Sequence, residues 1–310
     1  MSERYLSFPA WCIERFGKRL YRIPLDAGMT CPNRDGTLGT KGCIFCDAGG
    51  SGDFAVHYEG QRIQLDEVPY LSHRDAGKGS YIFYFQAYTN TYAPIERLRF
   101  LYSSALQDPL SAGISIATRP DCMSAEVYAL LGELKAAYPD RFIWVELGLQ
   151  TMHDQTAVYI RRGYPTAVFD DCVSKLHELG IEVIVHVILG LPGETDEMVY
   201  QTIDHLNAVK TDGVKLQLLH VLSGTDLAEE YRSGAFEVLS EEHYVKMVCG
   251  CIARLRKGTV IHRLTGDGPG KILIAPEWSR NKKRVLNEIR HVLKTEDIRE
   301  GCLCYDSSDD

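Results

Sequence analysis

Six short apolar runs alternate with amphipathic, helix-like stretches. That rhythm predicts an α/β fold, a parallel sheet closed or nearly closed into a partial, TIM-like (β/α)6 barrel. Two observations sharpen it: polar residues recur at one phase of the apolar runs, and a cysteine-bearing loop follows the first run. The runs are Leu20–Asp26 (strand-like despite Pro24), 81–86, 113–118, Phe142–Gln150, 181–189 and 214–221. Helix-like stretches lie near 94–107, 124–138, 165–179 and 195–210. Pro94 and Ser124 suit helix starts, and Gly180 suits a helix end. After residue 222 come helical patterns at 224–232 and 240–257, a strand-like TVIHRLTG, a GDGPGK turn and a charged helix at 279–294. The expected organisation is an N-terminal segment (1–18), the barrel (19–222) and a C-terminal extension packed on it (223–310).

The 310 residues are 45% hydrophobic and 25% charged, ordinary values with chain enough for a sizeable core. A net charge of −8 argues against a strongly basic surface wrapped by nucleic acid, while permitting a local basic patch. The N-terminus has no apolar signal core, and the longest apolar run, 183–191, is broken by His186 and too short to span a bilayer. The expectation is a cytoplasmic chain without membrane contact, its ten cysteines serving as thiols, core fillers or metal ligands. No repeat is evident, and the acidic tail 306–310 is expected to fray.

Side chains alternate across a strand, so in Phe142–Gln150 the residues Ile143, Val145, Leu147 and Leu149 share one face and Trp144, Glu146, Gly148 and Gln150 the other. The apolar face should meet the helices, and the face with Glu146 and Gln150 should look into the barrel. Gln86, Ser115, His186, Lys215 and Gln217 also interrupt apolar runs. A closed barrel filled by branched apolar layers would not need them, so the interior is expected to hold a ligand.

Cys31, Cys43 and Cys46 lie in CPNRDGTLGTKGCIFC. Three thiolates on one loop can hold an iron–sulfur cluster and leave one iron without a protein ligand. They can equally bind zinc with a fourth ligand such as His57, since Cys-x2-Cys is a common zinc spacing. Gly36, Gly39 and Gly42 suggest a flexible loop.

Taken in order, this loop, YFQAYTNTYAP, ATRPD, VELGLQT and VILGLPGET resemble the radical S-adenosylmethionine (SAM) superfamily. The resemblance is closest to its YhcC/YtqA-type branch, itself similar to the catalytic subunit of Elongator, and it covers roughly residues 5–280. The family's usual cysteine pattern is CxxxCxxC; here it is Cys-x11-Cys-x2-Cys, a departure shared with the Elongator-like relatives. The resemblance implies a [4Fe–4S] cluster on Cys31, Cys43 and Cys46, with SAM's amino and carboxylate groups on the open iron. One-electron reduction would cleave SAM to methionine and a 5′-deoxyadenosyl radical, which takes hydrogen from an unactivated carbon. A donor such as flavodoxin or ferredoxin is implied.

By the same resemblance, Phe45 packs on adenine. Gln86 meets the methionine amino group, where the superfamily uses Gly-Gly-Glu. Ser115, Glu146 and Gln150 bind the amino group or ribose, Arg162 pairs with the carboxylate, and Gly190, Leu191 and Pro192 line the adenine. Tyr88, Asn90, Tyr92, His186, Lys215 and Gln217 are candidate substrate residues. Each has a plainer reading. Glu146 is then a structural acid paired with Arg161 or Arg162, His186 a satisfied core histidine, and Asn90 part of a capped loop end.

The Elongator likeness implies transfer RNA, with the C5 side chain of the wobble uridine as target and removal or remodelling of a carboxymethylaminomethyl group as the reaction. Segment 280–294 carries Arg280, Lys282, Lys283, Arg284, Arg290 and Lys294 against Glu288, the footprint of an RNA contact or simply a solvated face. Alternatives are a radical SAM enzyme acting on a small metabolite or cofactor precursor, and a non-enzymatic zinc-binding interaction module. Cys249, Cys251, Cys302 and Cys304 offer four thiols for a second metal.

Overall fold

The computed structural model describes residues 4–47, 49–50, 55–68, 71, 80–266 and 270–304. The acidic tail and the middle of the expected Gly/Pro turn, 267–269, lie outside them. All six expected strands form: β1 (Leu20–Asp26), β3 (Ser80–Phe85), β4 (Ser111–Thr118), β5 (Phe142–Gln150), β6 (Glu182–Leu189) and β7 (Gly213–Leu218). The short β2 (Val56–His57) adds to one edge, and a pair β8 (Val221–Leu222) and β10 (Leu273–Ala275) forms a separate antiparallel ribbon. The strand expected in the extension, β9 (Val260–Arg263), joins the barrel sheet itself. The eight-stranded sheet runs β2-β1-β3-β4-β5-β6-β7-β9 and is parallel throughout.

Helices α1 (Phe8–Phe16), α2 (Ile95–Gln107), α3 (Ala125–Ala137), α4 (Asp154–Tyr159), α5 (Thr166–Glu178) and α6 (Asp196–Ala208) precede three in the extension, α7 (Asp226–Arg232), α8 (Glu241–Arg254) and α9 (Lys282–Thr295). Their starts are chemically marked. Ser7, Ser124, Thr195, Thr225 and Ser240 each accept a backbone N–H from the first turn of the helix they precede. Among the described residues, no helix is long and apolar enough to cross a membrane.

Two apolar layers follow from strand alternation. Outward residues such as Phe83, Ile116, Val145, Leu147, Val185 and Leu216 pack with Leu101, Leu130 and Phe169 of the surrounding helices. Inward, Leu20, Ile82, Trp144, Ile184 and Val260 meet Phe8 and Cys12 of α1. The N-terminal segment is therefore the plug of the barrel's lower end; Trp144 stacks on Phe142 and touches Phe8 and Trp11.

Candidate active site

Above the apolar plug the interior changes character. Two residues further along the strands, Arg22, Tyr84, Ser115, Glu146, His186 and Lys215 form a polar layer. Two residues beyond that, Pro24, Gln86, Ala117, Gly148, Ile188 and Gln217 line a cavity of about 940 Å³. Cys31, Cys43, Cys46, Phe45, Tyr88 and Arg119 line its upper part, at the C-terminal ends of the strands where binding loops gather in barrels.

The cysteine loop is organised rather than loose. Arg34 and Asp35 donate backbone N–H to Cys31 O, Leu38 to Pro32 O, and Gly42 to Asn33 O at 2.8 Å. Gly36 and Gly42 take positive φ, which explains glycine at those two turns. Asn33 Nδ2 donates to Arg161 O at 2.7 Å and approaches Cys43 Sγ at 3.5 Å, while Arg34 Nη2 donates to Cys46 O at 2.9 Å and to Asp47 O. Burial pushes the Cys43 thiol up to about 11, with Cys46 adding to it. Among the described residues no three Cys, His or acidic groups converge closely enough to hold one metal ion. Cluster ligands need no such convergence, because each thiolate takes a different iron. Three soft donors on one cavity wall fit a cluster. His57 sits on edge strand β2, 67% exposed and 3.3 Å from Glu59.

The residues expected to meet SAM divide. Phe45, Gln86, Glu146 and Gln150 line the cavity. Gln150 has φ +66 and a buried Oε1 with no hydrogen-bond partner among the described residues, and Gly148 leaves room for its amide, which a Cβ would meet at 2.8 Å. Such an acceptor is ready for a ligand donor. Ser115 is fully buried, donating to Glu146 Oε1 at 2.8 Å. Leu191 packs in a cluster with Ile44, Ile160 and Leu219, and neither it nor Gly190 or Pro192 lines the cavity. Ile188 and Leu219 form that wall instead.

Arg162 departs most from expectation. Its Nε donates to Tyr164 O (2.9 Å), Nη1 to Leu149 O (3.0 Å) and Thr151 O (2.6 Å), and Nη2 to Asp154 Oδ1 (3.0 Å) and Thr166 Oγ1 (3.1 Å). All five N–H donors are engaged, so Arg162 braces the β5–α5 loops and has none left for a ligand carboxylate. Arg119, in the ATRPD stretch, lines the same cavity and is held bidentately by Asp121 (2.9 and 2.7 Å).

Among substrate candidates, Tyr88, His186 and Gln217 line the cavity. Lys215 lies beneath it. Asn90 is a fully buried staple donating to Ala87 O and Ala117 O, and Tyr92 bonds Thr37 of the cysteine loop at 2.9 Å. Both belong to loop architecture.

The polar layer centres on Glu146. Its cation is Lys215, not Arg161 or Arg162; Ser115 and His186 Nε2 (2.7 Å) complete its shell. Arg161 pairs instead with Asp226 at 2.7 Å. Burial alone drives the Glu146 carboxyl up, but Lys215, then His186 and Arg22, outweigh it and hold it well below the usual range. Burial drives Lys215 down to about 7 against the pull of Glu146, and burial followed by Lys215 drives His186 down to about 4. Arg22 went unnoticed in the sequence. Its signal was a charged residue at the inward phase of β1, between Leu20 and Pro24.

In the extension, Val285, Ile289 and Leu293 bury one face of α9 and leave Lys282, Lys283, Arg290 and Lys294 exposed. Arg280 and Arg284 have internal work: Arg280 donates to Gly270 O and Leu273 O, and Arg284 pairs with Glu241. Arg280 and Lys282 reach the cavity mouth. The two Cys-x-Cys segments adjoin, with Gly301 and Leu303 donating backbone N–H to Ile252 O and Ala253 O, but Cys249 faces Ile289 O of α9 and Cys304 approaches Asn207, and among the described residues no three such groups converge on one metal ion.

Comparison with known proteins gives the family. The Radical SAM superfamily signature matches residues 35–206, and the Radical SAM C-terminal domain matches 211–295. The uncharacterized protein YtqA of Bacillus subtilis (strain 168) is 41% identical over 96% of this chain and 92% of its own. A tRNA uridine(34) acetyltransferase of Methanocaldococcus jannaschii is 27% identical over 52% of this chain but only 29% of its own length. Among solved structures, archaeal Methanocaldococcus infernus Elp3 superposes with a TM-score of 0.60 at 18% identity, covering 71% of this chain and 55% of that one, a likeness of fold.

Proposed function

The chain belongs to the radical SAM superfamily, and on that footing we propose that this radical SAM enzyme modifies the C5 side chain of a wobble uridine in transfer RNA, by removal or remodelling of a carboxymethylaminomethyl group. The observation that carries the reading is charge. On a chain of net −8, the cavity is lined by Arg22, Arg34, Arg119, Arg263, Arg280 and Lys282, besides the fully engaged Arg162, with Asp47 and Glu146 as its lining acids among the described residues and Asp121 paired to Arg119. From Arg280 and Lys282 at the mouth, the basic exposed face of α9 continues outward. A phosphate backbone is the ligand such a track suits. The partial likeness to an enzyme named for uridine 34 of tRNA agrees with it; the acetyltransferase activity in that name is not carried over, since most of that protein lies outside the match.

Cys31, Cys43 and Cys46 would hold the [4Fe–4S] cluster. Bound there, cluster and SAM supply the family's chemistry, hydrogen abstraction from an unactivated carbon by a 5′-deoxyadenosyl radical. The chain's residues orient. Phe45, Ile188 and Leu219 give an apolar wall for adenine, Gln86 and Gln150 present amides to the amino group or ribose, and Arg119 faces the carboxylate. Tyr88, His186 and Gln217 surround the space left for the uridine side chain. A one-electron donor such as flavodoxin or ferredoxin completes the system.

The test is mass spectrometry of transfer RNA nucleosides from cells with and without the gene. Loss of the gene should raise one C5-modified uridine and deplete another. Identical profiles would reject the RNA substrate.

A further inference from the structure

Asn33 and Arg34, just after Cys31 and Pro32, turn back onto the other two cysteines. The chain reverses there because Arg34 and Asp35 both give their backbone N–H to Cys31 O, and Asn33 is buried by the turn. Asn33 Nδ2 has two N–H groups. One donates to Arg161 O at 2.7 Å, which fixes the orientation of the amide, and Cys43 Sγ accepts the other at 3.5 Å. The Cys43 thiol also reaches Arg161 O, at 3.6 Å. A thiolate on iron has no proton to give, so that contact ends when the cysteine binds, while the Asn33 bond to sulfur remains.

Arg34 does for Cys46 what Asn33 does for Cys43. Its Nη2 donates to Cys46 O and Asp47 O, and its guanidinium bonds the Cys46 side chain. Gly42 makes room for it: a Cβ there would meet Arg34 Nε at 2.9 Å and Cζ at 3.1 Å. Glycine at 42, with φ +75, therefore serves both the turn before Cys43 and the guanidinium beside Cys46. Burial raises the Cys46 thiol, and Arg34 opposes it, first by hydrogen bond and then by charge. Two of the three loop sulfurs thus face a side-chain N–H, one from a neutral amide and one from a cation. Donors aimed at cluster sulfurs favour the reduced state, whose added negative charge the sulfurs share.

We propose that Asn33 and Arg34 tune the cluster: their N–H groups on Cys43 and Cys46 raise its reduction potential and so set how readily a flavodoxin- or ferredoxin-class donor loads it. This rests on Cys31, Cys43 and Cys46 as the cluster ligands and is independent of the RNA substrate. One electron passes from donor to cluster, no bond breaks, and the added charge falls on sulfurs that the two side chains face. The same stabilisation makes the cluster a weaker reductant of SAM, so the pair balances loading against cleavage.

The test is an anaerobic redox titration of the reconstituted protein, without substrate, read by electron paramagnetic resonance of the reduced cluster. Iron, sulfide and visible absorbance report cluster content separately. Arg34→Gln and Asn33→Leu should each keep the cluster and lower its midpoint by about tenfold in the reduction equilibrium, or 59 mV for a one-electron couple. Arg34→Lys retains the charge and should fall between Arg34→Gln and wild type. Should a substitution cost the cluster, wild type answers alone: with asparagine and arginine labelled by nitrogen-15, electron–nuclear double resonance of the reduced protein should show labelled nitrogen coupled to the cluster. Unchanged midpoints in both Arg34→Gln and Asn33→Leu at full cluster content, or no coupled nitrogen in wild type, overturn the tuning and leave the ligand assignment standing. Wild-type protein that holds no cluster rejects the ligand assignment and the tuning with it.

Discussion

The rim and the floor of the cavity are built in opposite ways. The rim is local: Cys31, Cys43 and Cys46 come from one 16-residue segment whose backbone closes on itself through Pro32, Asn33 and Gly42. The floor is distributed: Arg22, Tyr84, Ser115, Glu146, His186, Lys215 and Arg263 come from seven different strands. The rim's ligand geometry is written into a loop, so one substitution there should remove one function and spare the fold. The floor is held by mutual charge neutralisation, so one substitution there should be felt by the whole sheet.

Cys43→Ala tests the first half of that contrast and should have the largest effect. Iron and sulfide content after anaerobic reconstitution should collapse, with deoxyadenosine formation, while the thermal melt of the unreconstituted protein shifts little. A variant that still holds a cluster and turns over would mean the wrong cysteines were chosen. Glu146→Gln tests the second half. It leaves buried Lys215 and the neighbouring Arg22 without their acid, and should cost about 3–5 kcal/mol in urea unfolding. Adding Lys215→Met should recover part of the loss. Additive losses in the double variant would show that the layer is not coupled.

The same contrast explains what was legible. The β5 alternation, Ile143 to Leu149 outward and Glu146 inward, could be read because strand period is a property of adjacent residues. So could the cysteine loop. What could not be read was which distant residue answers which. In its plainer reading Glu146 pairs with the nearby Arg161 or Arg162, but the sheet brings it Lys215, 69 positions away. β9 looked like part of an appendage because nothing in TVIHRLTG says that it adds to β7. Arg162 matched an expected role by position, and only the carbonyls of Leu149, Thr151 and Tyr164 reveal that its donors are already engaged.

Arg162 therefore offers a sharper test of rim against scaffold. Arg162→Ala strands several carbonyls and should lower stability by about 2–3 kcal/mol. Arg119→Ala should instead weaken SAM affinity with a smaller shift in melting. The opposite pattern, a SAM defect in the first and not the second, would restore Arg162 to the ligand site.

A pH series separates the floor from the rim more finely. Burial brings Lys215 down to about 7 from an ordinary 10.5, so as pH rises through neutrality the floor loses a positive charge. His186, near 4, is already neutral there, and Glu146 stays ionised. The unfolded chain binds that proton more tightly, so stability should rise as pH climbs from about 7 toward 10, and Lys215→Met should flatten the profile. A profile in Lys215→Met as steep as that of the wild type would contradict the assigned charge.

The smallest effect is expected outside both regions, on α9. Replacing Lys283, Arg290 and Lys294 together by Gln removes three exposed charges from a helix whose buried residues, Val285, Ile289 and Leu293, are untouched. Stability should change by no more than about 0.5 kcal/mol. If the helix lies along a phosphate backbone, the slope of log affinity for RNA against log salt should become shallower by about 0.7 to 0.9 for each phosphate no longer neutralised. A variant that keeps the full salt slope would confine RNA binding to the cavity mouth, at Arg280 and Lys282.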